Sequence, residues 1–455
     1  MKRATPALAA ALAACSVPPH TPPPQSASVS PPAGWRTPLG PTAPIDTQWW
    51  QAFGDPVLTR LVETALANNT DLAIAVARVR EARAQERLAR AQLYPTLDAG
   101  AGVSRQRELS PFGTAETLTA AQPSFQAAYE VDLFGRIGAE VEAARQSTLS
   151  AQAASDAARL SVAAATASGY ITLRGLDERA RVTRDTVASR AEALRIAKSR
   201  ADVGYTSQLE YRQAQAEYEN VAQTLPQIEL AVRRQEDALA LLLGDSPRAI
   251  ERGADLARLR PPPIPAGLPS DLLRRRPDIA QAEYTLAASD ATLSASRAQF
   301  LPSLRLTGSA GAVLATGIDP ISIWSIGASV LAPLFEGGRL RAGVETAEAR
   351  RDQAAFAYRR TVLTAFRETE DALAAVDRLA EQRRHLEAQR AALAEALRHA
   401  TNRYRAGYAP YLDQLDAQRS LFAAELTLTQ AQADQLTALV SLYQAMGGGW
   451  SAVSG

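Results

Sequence analysis

The 455-residue chain has one cysteine, three histidines and few aromatic residues, and each shortage excludes a class of structure or chemistry. A single cysteine cannot form an internal disulfide bond. Three histidines offer little material for a histidine metal site or a histidine-based catalytic triad. Aromatic residues make up 6% of the chain, which favours alanine-rich helices in close contact over one bulky core.

The chain also has no marked excess of positive or negative charge, no long apolar run after the N-terminus and no recognisable catalytic motif. The 49 basic and 48 acidic residues nearly balance, so the composition gives no sign of nucleic-acid binding. Beyond the N-terminus, no run of 18 apolar residues could form a spanning helix, so any membrane crossing requires strands. The chain has no Walker loop, G-x-S-x-G or C-x-x-C motif. We therefore predict that it is not an enzyme and has no catalytic residue, metal ion or cofactor.

The N-terminus has the pattern of a bacterial export signal. Lys2 and Arg3 precede a short apolar stretch, and Leu12-Ala13-Ala14-Cys15 resembles the sequence at which bacterial lipoproteins are cleaved and acylated. We predict a signal peptide over residues 1–14 and lipid attachment at Cys15, where Ser16 favours sorting to the outer membrane by the same resemblance. The alternative is an ordinary signal peptide followed by a chance cysteine.

A proline-rich stretch follows the cysteine. Such sequence stays extended and cannot bury a core, so we predict a lipid-anchored tether over residues 15–48. Its prolines are Pro18, Pro19, Pro22, Pro23, Pro24, Pro31 and Pro32.

The remaining chain contains an internal duplication. The stretch Ser296–Pro302 echoes Ala89–Pro95, and Arg403–Tyr408 echoes Arg200–Tyr205. In each copy we predict a helix, a strand pair, a very long helix and a second helix. The predicted boundaries are a first repeat over 49–250, a linker over 251–269, a second repeat over 270–450 and a C-terminal tail over 451–455.

Each copy includes a stretch of exceptional helical length. Residues 136–203 and 339–406 contain no proline, so each predicts a helix on the order of 100 Å long. Helices of that length indicate coiled-coil packing. A periplasmic coiled-coil lipoprotein scaffold without a pore is one alternative that this pattern leaves open.

Four shorter runs alternate apolar and polar residues, as membrane strands do. They lie at residues 97–104, 125–133, around 304–312 and at 324–330. Four strands cannot close a barrel, and open strand edges are not tolerated in lipid, so several chains must share one barrel. A soluble hairpin packed on helices is the alternative, because short alternating runs are weak signals.

Four motifs carry a family resemblance that spans nearly the whole mature chain. With them, the chain resembles the outer-membrane factors of tripartite efflux systems, of TolC/OprM type, and especially their lipoprotein, NodT-like branch. The motifs are Trp50–Pro56, Tyr129–Arg136, Arg275–Ile279 and Gly447–Trp450.

The resemblance implies a mainly α fold with membrane strands. It implies a homotrimer with a shared twelve-stranded β-barrel, four strands per chain, that continues into a long periplasmic α-helical barrel with an equatorial belt. Its expected partners are outer-membrane lipid, a periplasmic adaptor (membrane fusion) protein and an inner-membrane efflux transporter. The implied location is the outer membrane of a Gram-negative bacterium, with a lipid anchor and an extension into the periplasm.

The resemblance also assigns roles to the turns between long helices. Gly204, Tyr205, Gly407 and Tyr408 are the implied adaptor contacts at the periplasmic tips, and glycine suits such turns because it accepts left-handed backbone angles. Turn formation alone is the other reading of these four residues.

Four residues near the tips are implied to form the periplasmic gate: Asp413, Asp416, Glu210 and Tyr404. Asp413 and Asp416 lie one helical turn apart, and three-fold symmetry stacks such acids into carboxylate rings that favour cations. A solvated helix face is the other reading of any one of these acids. The best-known members have an arginine at this turn that forms an ion pair and latches the closed state. This chain has Ala409 at that position, so hydrogen bonds of Glu210 or Tyr404 must replace the ion pair.

We therefore predict a passive exit duct for small solutes, driven by the inner-membrane transporter through the adaptor. The main alternative is the outer-membrane duct of a type I protein-secretion system, which shares the fold. The sequence does not identify the solutes.

Overall fold

The structure is a computed structural model that describes residues 18–19, 21–37, 42–109, 113–316 and 318–450. Of residues 42, 43 and 318 it describes the backbone alone. The predicted lipid-attachment residue Cys15, the predicted signal peptide and the predicted tail 451–455 lie outside the described residues.

Nine α-helices and six strands make up the regular structure of the described residues, with three short 3₁₀ turns. The helices are α1 (Pro56–Asn68), α2 (Thr70–Ala91), α3 (Arg136–Asp202), α4 (Gln208–Ala222), α5 (Thr224–Leu242), α6 (Pro269–Arg275), α7 (Pro277–Ala298), α8 (Arg339–Arg405) and α9 (Tyr411–Ala445). The strands are β1 (Thr42–Ala43), β2 (Thr96–Leu109), β3 (Ala115–Val131), β4 (Ile264–Pro265), β5 (Ser303–Ala315) and β6 (Ile318–Leu331). The 3₁₀ turns are Gln25–Ala27, Trp49–Phe53 and Leu256–Arg258.

The long helices are present in both halves of the chain, as predicted. Helices α3 and α8 have 67 residues each, which corresponds to roughly 100 Å at about 1.5 Å per residue. Neither helix contains proline, and pairs of arginine and glutamate three or four positions apart, such as Arg181 with Glu178, support their surfaces. The helices end where Gly204 and Gly407 take left-handed backbone angles, with φ of 73° and 79°.

The first predicted helix is interrupted, unlike the single helical pattern that the sequence indicates from Asp55 to Leu93. Asp55 caps α1 as expected, because its carboxylate accepts hydrogen bonds from the backbone of Val57 and Leu58. Asn69 then adopts an extended conformation between α1 and α2. Its side-chain oxygen accepts from the backbone of Asp71, at 2.9 Å, so it starts a second helix instead of continuing the first.

Four strands form one antiparallel sheet in the order β2-β3-β5-β6. Thr96 pairs with Ala128, and Ser303 pairs with Leu331, so each strand pair is in register over nearly its full length. The central pairing of β3 with β5 joins the two halves of the chain. In the described part of the chain, β2 and β6 are each paired along one edge only. Strands β2, β5 and β6 extend beyond the alternating runs that predict them, whereas β3 begins before its run and ends within it, at Val131.

The chain divides into two compact units, and each combines segments from both halves of the sequence. One unit consists of residues 1–28, 77–152 and 281–360, and it contains the four-stranded sheet. The other consists of residues 29–76, 153–280 and 361–455. Within the described residues, no helix combines the length and apolar character that crossing a membrane requires.

The second unit has an aromatic core built from the Trp50–Pro56 motif. Trp49 stacks on Tyr443, with 5.3 Å between ring centroids, and Phe53 is fully buried. The buried carboxylate of Asp55, besides capping α1, accepts a hydrogen bond of 2.8 Å from the hydroxyl of Tyr170. Burial is the main reason that the pKa of Tyr170 is raised, with the bond to Asp55 adding to it. The motif therefore organises a core.

The proline-rich stretches are more ordered than a free tether or linker. Strand β1 pairs with β4 in parallel, and β4 lies in the predicted linker 251–269. In the predicted tether, Ala27 is buried, and the indole of Trp35 donates a hydrogen bond of 2.8 Å to the carbonyl of Gly267. Proline excludes helix and central strand here, but it leaves backbone carbonyls free to accept hydrogen bonds from neighbouring side chains.

Candidate gate at the turns of the long helices

The turns that follow α3 and α8 have the same backbone geometry. The N–H of Tyr205 donates to the carbonyl of Arg200 at 2.8 Å, and the N–H of Tyr408 donates to the carbonyl of Arg403 at 2.9 Å. These bonds close each helix end in the manner of a Schellman motif, with a glycine in the left-handed conformation. The return helices then begin at Gln208 and Tyr411.

Both tip tyrosines point into solvent. Tyr205 is 79% exposed and Tyr408 is 80% exposed. The guanidinium of Arg200 lies 5.8 Å from the ring centre of Tyr205, within the range of a weak cation–π contact. Two exposed aromatic rings at equivalent turns have the chemistry of anchor residues at a protein interface. Their contact with an adaptor stays a prediction.

Two of the four predicted gate residues are in contact. The hydroxyl of Tyr404, on α8, donates a hydrogen bond of 3.2 Å to the carboxylate of Glu210, on α4. Partial burial and the negative charge of Glu210 raise the pKa of the phenol, so it remains a donor at neutral pH. The Tyr404 ring also packs against Tyr411, with 5.5 Å between centroids. The structure therefore contains a hydrogen bond between Tyr404 and Glu210 near the turns, and its role as a latch stays a prediction.

Asp413 and Asp416 lie in the first turns of α9, and both carboxylates are exposed. A carboxylate oxygen of Asp416 is 3.9 Å from the guanidinium of Arg419, a distance at which an exposed pair contributes little. Neither aspartate joins the hydrogen bond between Glu210 and Tyr404 in the described contacts. The role of these acids as a ring stays a prediction.

A buried charge cluster near the tips was not predicted from the sequence. Glu217, on α4, is 1% exposed, and its carboxylate lies 3.6 Å from Arg190 of α3 and 2.7 Å from Arg419 of α9. Burial lowers the pKa of Arg190, although the charge of Glu217 opposes that shift. The sequence signal that could have found it is the stripe of Ala214, Glu217 and Val221, in which an acid occupies a core position.

Two acids at or just after the end of β3 make contacts with the start of α3. Asp132 accepts hydrogen bonds from the backbone of Ile137 and Gly138, at 3.1 and 2.7 Å, and so caps α3. Glu130 pairs with Arg136 at 2.7 Å. The Tyr129–Arg136 motif is therefore a strand-to-helix junction. In the described residues, no group of three or more potential ligands could hold a metal ion.

Long paired helices with closed glycine turns, joined to an antiparallel amphipathic sheet, define the class of TolC-like outer-membrane channels. The solved open state of the Neisseria gonorrhoeae MtrE outer membrane channel matches with a TM-score of 0.83 and 31% identity. That match covers 95% of this chain and 98% of the other. The family model for outer membrane efflux proteins matches residues 61–245 and 268–448, and the chain belongs to this family.

Curated relatives agree with this assignment over nearly their full length. The pyoverdine export outer membrane protein OpmQ of Pseudomonas putida is 35% identical over 98% of this chain and 97% of its own. The outer membrane protein OprJ of Pseudomonas aeruginosa is 38% identical over 90% of this chain and 88% of its own. The protein is therefore an outer-membrane channel of an efflux system, and its family consists of transport ducts.

Proposed function

We propose that this chain forms, as a homotrimer, the passive exit duct of a tripartite efflux pump. The observation that carries the proposal is the four-stranded sheet, in which the edge strands β2 and β6 each have one paired side among the described residues. Strand edges in lipid must be paired, so β6 of one copy pairs with β2 of the next. Three copies then give a closed barrel of twelve strands, and the long helices line a periplasmic tunnel.

The exposed apolar residues on the sheet support a lipid-facing outer surface. Leu97 and Val103 on β2 are 73% and 76% exposed, and Trp324 and Ile326 on β6 are 76% and 84% exposed. Side chains of this kind on a sheet are costly in water and favourable in hydrocarbon. A lipid anchor at Cys15, following a cleaved signal peptide over residues 1–14, adds a second attachment to the same membrane.

The tips form the contact with a periplasmic adaptor protein, and the inner-membrane transporter supplies the energy. The exposed rings of Tyr205 and Tyr408, with Gly204 and Gly407 shaping the turns, are the proposed adaptor contacts. The chain itself acts as a duct and not as an enzyme, without a cofactor. Relatives are named for pyoverdine export and for toluene efflux, so membership of the family leaves the cargo open.

The gate consists of Asp413, Asp416, Glu210 and Tyr404. In the trimer, the exposed carboxylates of Asp413 and Asp416 approach the three-fold axis and concentrate negative potential in the narrowest part of the lumen. The hydrogen bond from Tyr404 to Glu210 holds the return helix of the first half against the long helix of the second. Opening spreads these helix pairs in a two-state change.

Single-channel conductance of the purified trimer in planar bilayers tests the gate. Replacing both acids, Asp413→Ala and Asp416→Ala, removes the carboxylate rings, so we expect a changed conductance and a weaker cation preference. Asp237→Ala is the matched control, because Asp237 is an exposed acid on α5, away from the turns. Unchanged conductance and ion preference in the double variant contradict the gate assignment.

A further inference from the structure

The junction between strands and long helices contains a cleft. Its volume is about 770 Å³, within the range of pockets that bury a small ligand. The end of β3, the end of β6 and the start of α8 all contribute to its walls. All of these segments belong to the unit that contains the sheet.

Large apolar side chains on the cleft wall have no cover in the described chain. Phe335 is 91% exposed, Leu334 is 73% exposed and Leu133 is 59% exposed. Arg136 and Arg339 stand beside them on the wall, and each is paired with a glutamate, Glu130 and Glu336 respectively. An apolar wall with polar groups at its border fits an aliphatic chain attached to a polar head.

The N-terminal segment approaches this cleft along a track of arginines. Arg359 donates to the carbonyl of Ser28 at 2.9 Å, and Arg351 donates to the carbonyl of Thr21. Arg351 is 1% exposed, and the hydroxyl of Thr21 bonds to Glu348 on the same helix. Residues nearer the N-terminus of the segment therefore contact residues nearer the start of α8. The segment thus runs toward the start of that helix.

The described contact of this segment that is nearest to the N-terminus lies next to the cleft. Arg297 donates two hydrogen bonds to the carbonyl of Pro18, at 3.0 and 2.6 Å, and the following residue, Ala298, lines the cleft. Pro18 follows Cys15 by three positions, a reach of roughly 11 Å for an extended chain. On α8, the distance from Arg351 to Leu340 on the cleft wall is roughly 16 Å. Six extended residues from Thr21 to Cys15 span up to roughly 20 Å, enough to cover it.

We propose that the cleft is the docking site for the acyl group on the chain's own Cys15. The arginine track, formed by Arg297, Arg351 and Arg359, fixes the segment so that the acyl chain lies along Leu133, Leu334 and Phe335. The anchor is then seated at the strand-to-helix junction and sets the depth of the sheet in the membrane. This inference rests on the proposed lipidation of Cys15.

Photo-crosslinking of the lipoprotein tests the docking. Cells that express the full chain are fed a fatty acid that carries a diazirine and an alkyne. The trimer is irradiated in isolated membranes, and mass spectrometry identifies the linked peptides. We expect links from the acylated Cys15 peptide to residues 331–340 or 133–136 of the same chain. Mixing isotopically heavy and light chains in one trimer separates links within a chain from links between chains.

A matched pair of variants sharpens the result. Leu334→Glu with Phe335→Glu places charges on the cleft wall, so the yield of these links falls about tenfold. Leu109→Glu is the control, because Leu109 is an exposed apolar residue at the C-terminal end of β2. In this variant we expect the same yield as in the parent. Loss of the links in Arg297→Ala with Arg351→Ala supports the role of the track.

Three outcomes overturn the proposal. Links spread evenly over the outer strand surface, including Ile326, mean that the acyl chain lies in bulk lipid. Links to a neighbouring copy assign the cleft to a different chain. Equal labelling of the cleft in an exported Cys15→Ser variant means that free phospholipid occupies it. The mass of the N-terminal peptide separates these outcomes from failure of the anchor itself, because an unacylated Cys15 removes the proposed lipidation.

Discussion

The two return helices, α4 with α5 in the first half and α9 in the second, begin from turns of the same geometry and then differ. The first return helix is split between Ala222 and Thr224, whereas α9 runs unbroken through 35 residues. At the spacing that aligns the two turns, Pro226 occupies the place of Thr429. Proline lacks a backbone N–H and clashes with the preceding turn, so it ends a helix that threonine continues. We therefore assign the break between α4 and α5 to Pro226.

The charged residues near the turns differ in the same way. Glu217 is buried between two arginines in the first half, and the corresponding position in the second half is the exposed Ser420. Glu210 accepts a hydrogen bond from Tyr404, whereas the position that corresponds to Tyr404 in the first half is Ala201, which has no side-chain donor. The first return helix therefore places its acids Glu210 and Glu217 in contacts with other helices, whereas Asp413 and Asp416 of the second are exposed.

The buried charge cluster gives the largest expected effect. Glu217→Ala leaves the buried guanidinium of Arg190 without its partner, so the free energy of unfolding falls by about 3–5 kcal/mol. Thermal unfolding of the trimer in detergent, followed by circular dichroism, measures the loss. Ser420→Ala at the corresponding position changes stability by less than about 0.5 kcal/mol. Equal effects of the two substitutions contradict the comparison.

Exchanging the residues that split or continue the return helices gives the next largest effect. Thr429→Pro introduces a proline into the buried interior of α9, which costs about 3 kcal/mol and lowers the helical signal. Pro226→Thr, the reverse exchange, has a small effect, because the break at Gln223 already accommodates the chain. If Thr429→Pro leaves the unfolding temperature unchanged, proline is not the cause of the break.

Features that depend on local sequence were predictable, and features that depend on distant contacts were not. The absence of proline predicts α3 and α8, glycine predicts both turns, and Asp55 before Pro56 predicts the start of α1. The break at Asn69 depends on its amide, which donates to the carbonyl of Leu242 at 2.9 Å, far along the chain. The arginine track and the partners of Glu217 likewise join residues that only the fold brings together.

The candidate gate shows the same division. Family resemblance selected Glu210 and Tyr404 separately, and the structure shows that they form a hydrogen bond of 3.2 Å. The charge cluster at Glu217 was not predicted, because the spacing of residues along a helix indicates only which of them are buried. It does not indicate which charged residue of another helix lies against them. Strand lengths were underestimated because residues 105–108 on β2 are polar throughout and break the alternation.

The same substitution should lower the free energy of unfolding equally at the two turns, in contrast to substitutions in the return helices. Gly204→Ala and Gly407→Ala each force a side chain into the left-handed conformation, which costs roughly 1–2 kcal/mol. A Cβ at either position meets nothing within 4 Å, so the effect comes from the backbone alone. Unfolding in detergent measures both variants. A markedly larger loss at one turn means that contacts outside this chain, such as a neighbouring copy, distinguish the two.

The hydrogen bond at the gate gives the smallest effect on energy and the most direct effect on function. Tyr404→Phe removes one long, partly exposed hydrogen bond, worth about 0.5–1.5 kcal/mol, so the ratio of open to closed channel rises roughly two- to tenfold. Open probability in planar bilayers measures this ratio. Tyr408→Phe is the control, since Tyr408 is an exposed tyrosine at the adjacent turn.

The pH dependence distinguishes this bond from any other effect of removing the hydroxyl. The pKa of Tyr404 is raised by burial and by Glu210, so the phenol is protonated below the ordinary tyrosine pKa of about 10. Its stabilising contribution is complete there and is lost as the pH rises through the raised pKa of the folded state. The difference between parent and Tyr404→Phe should therefore stay constant from neutral pH to about 9 and shrink above 10. A difference that persists unchanged in alkali shows that loss of the phenolic proton does not weaken the closed turn, and the hydrogen bond from Tyr404 to Glu210 then has no part in the latch.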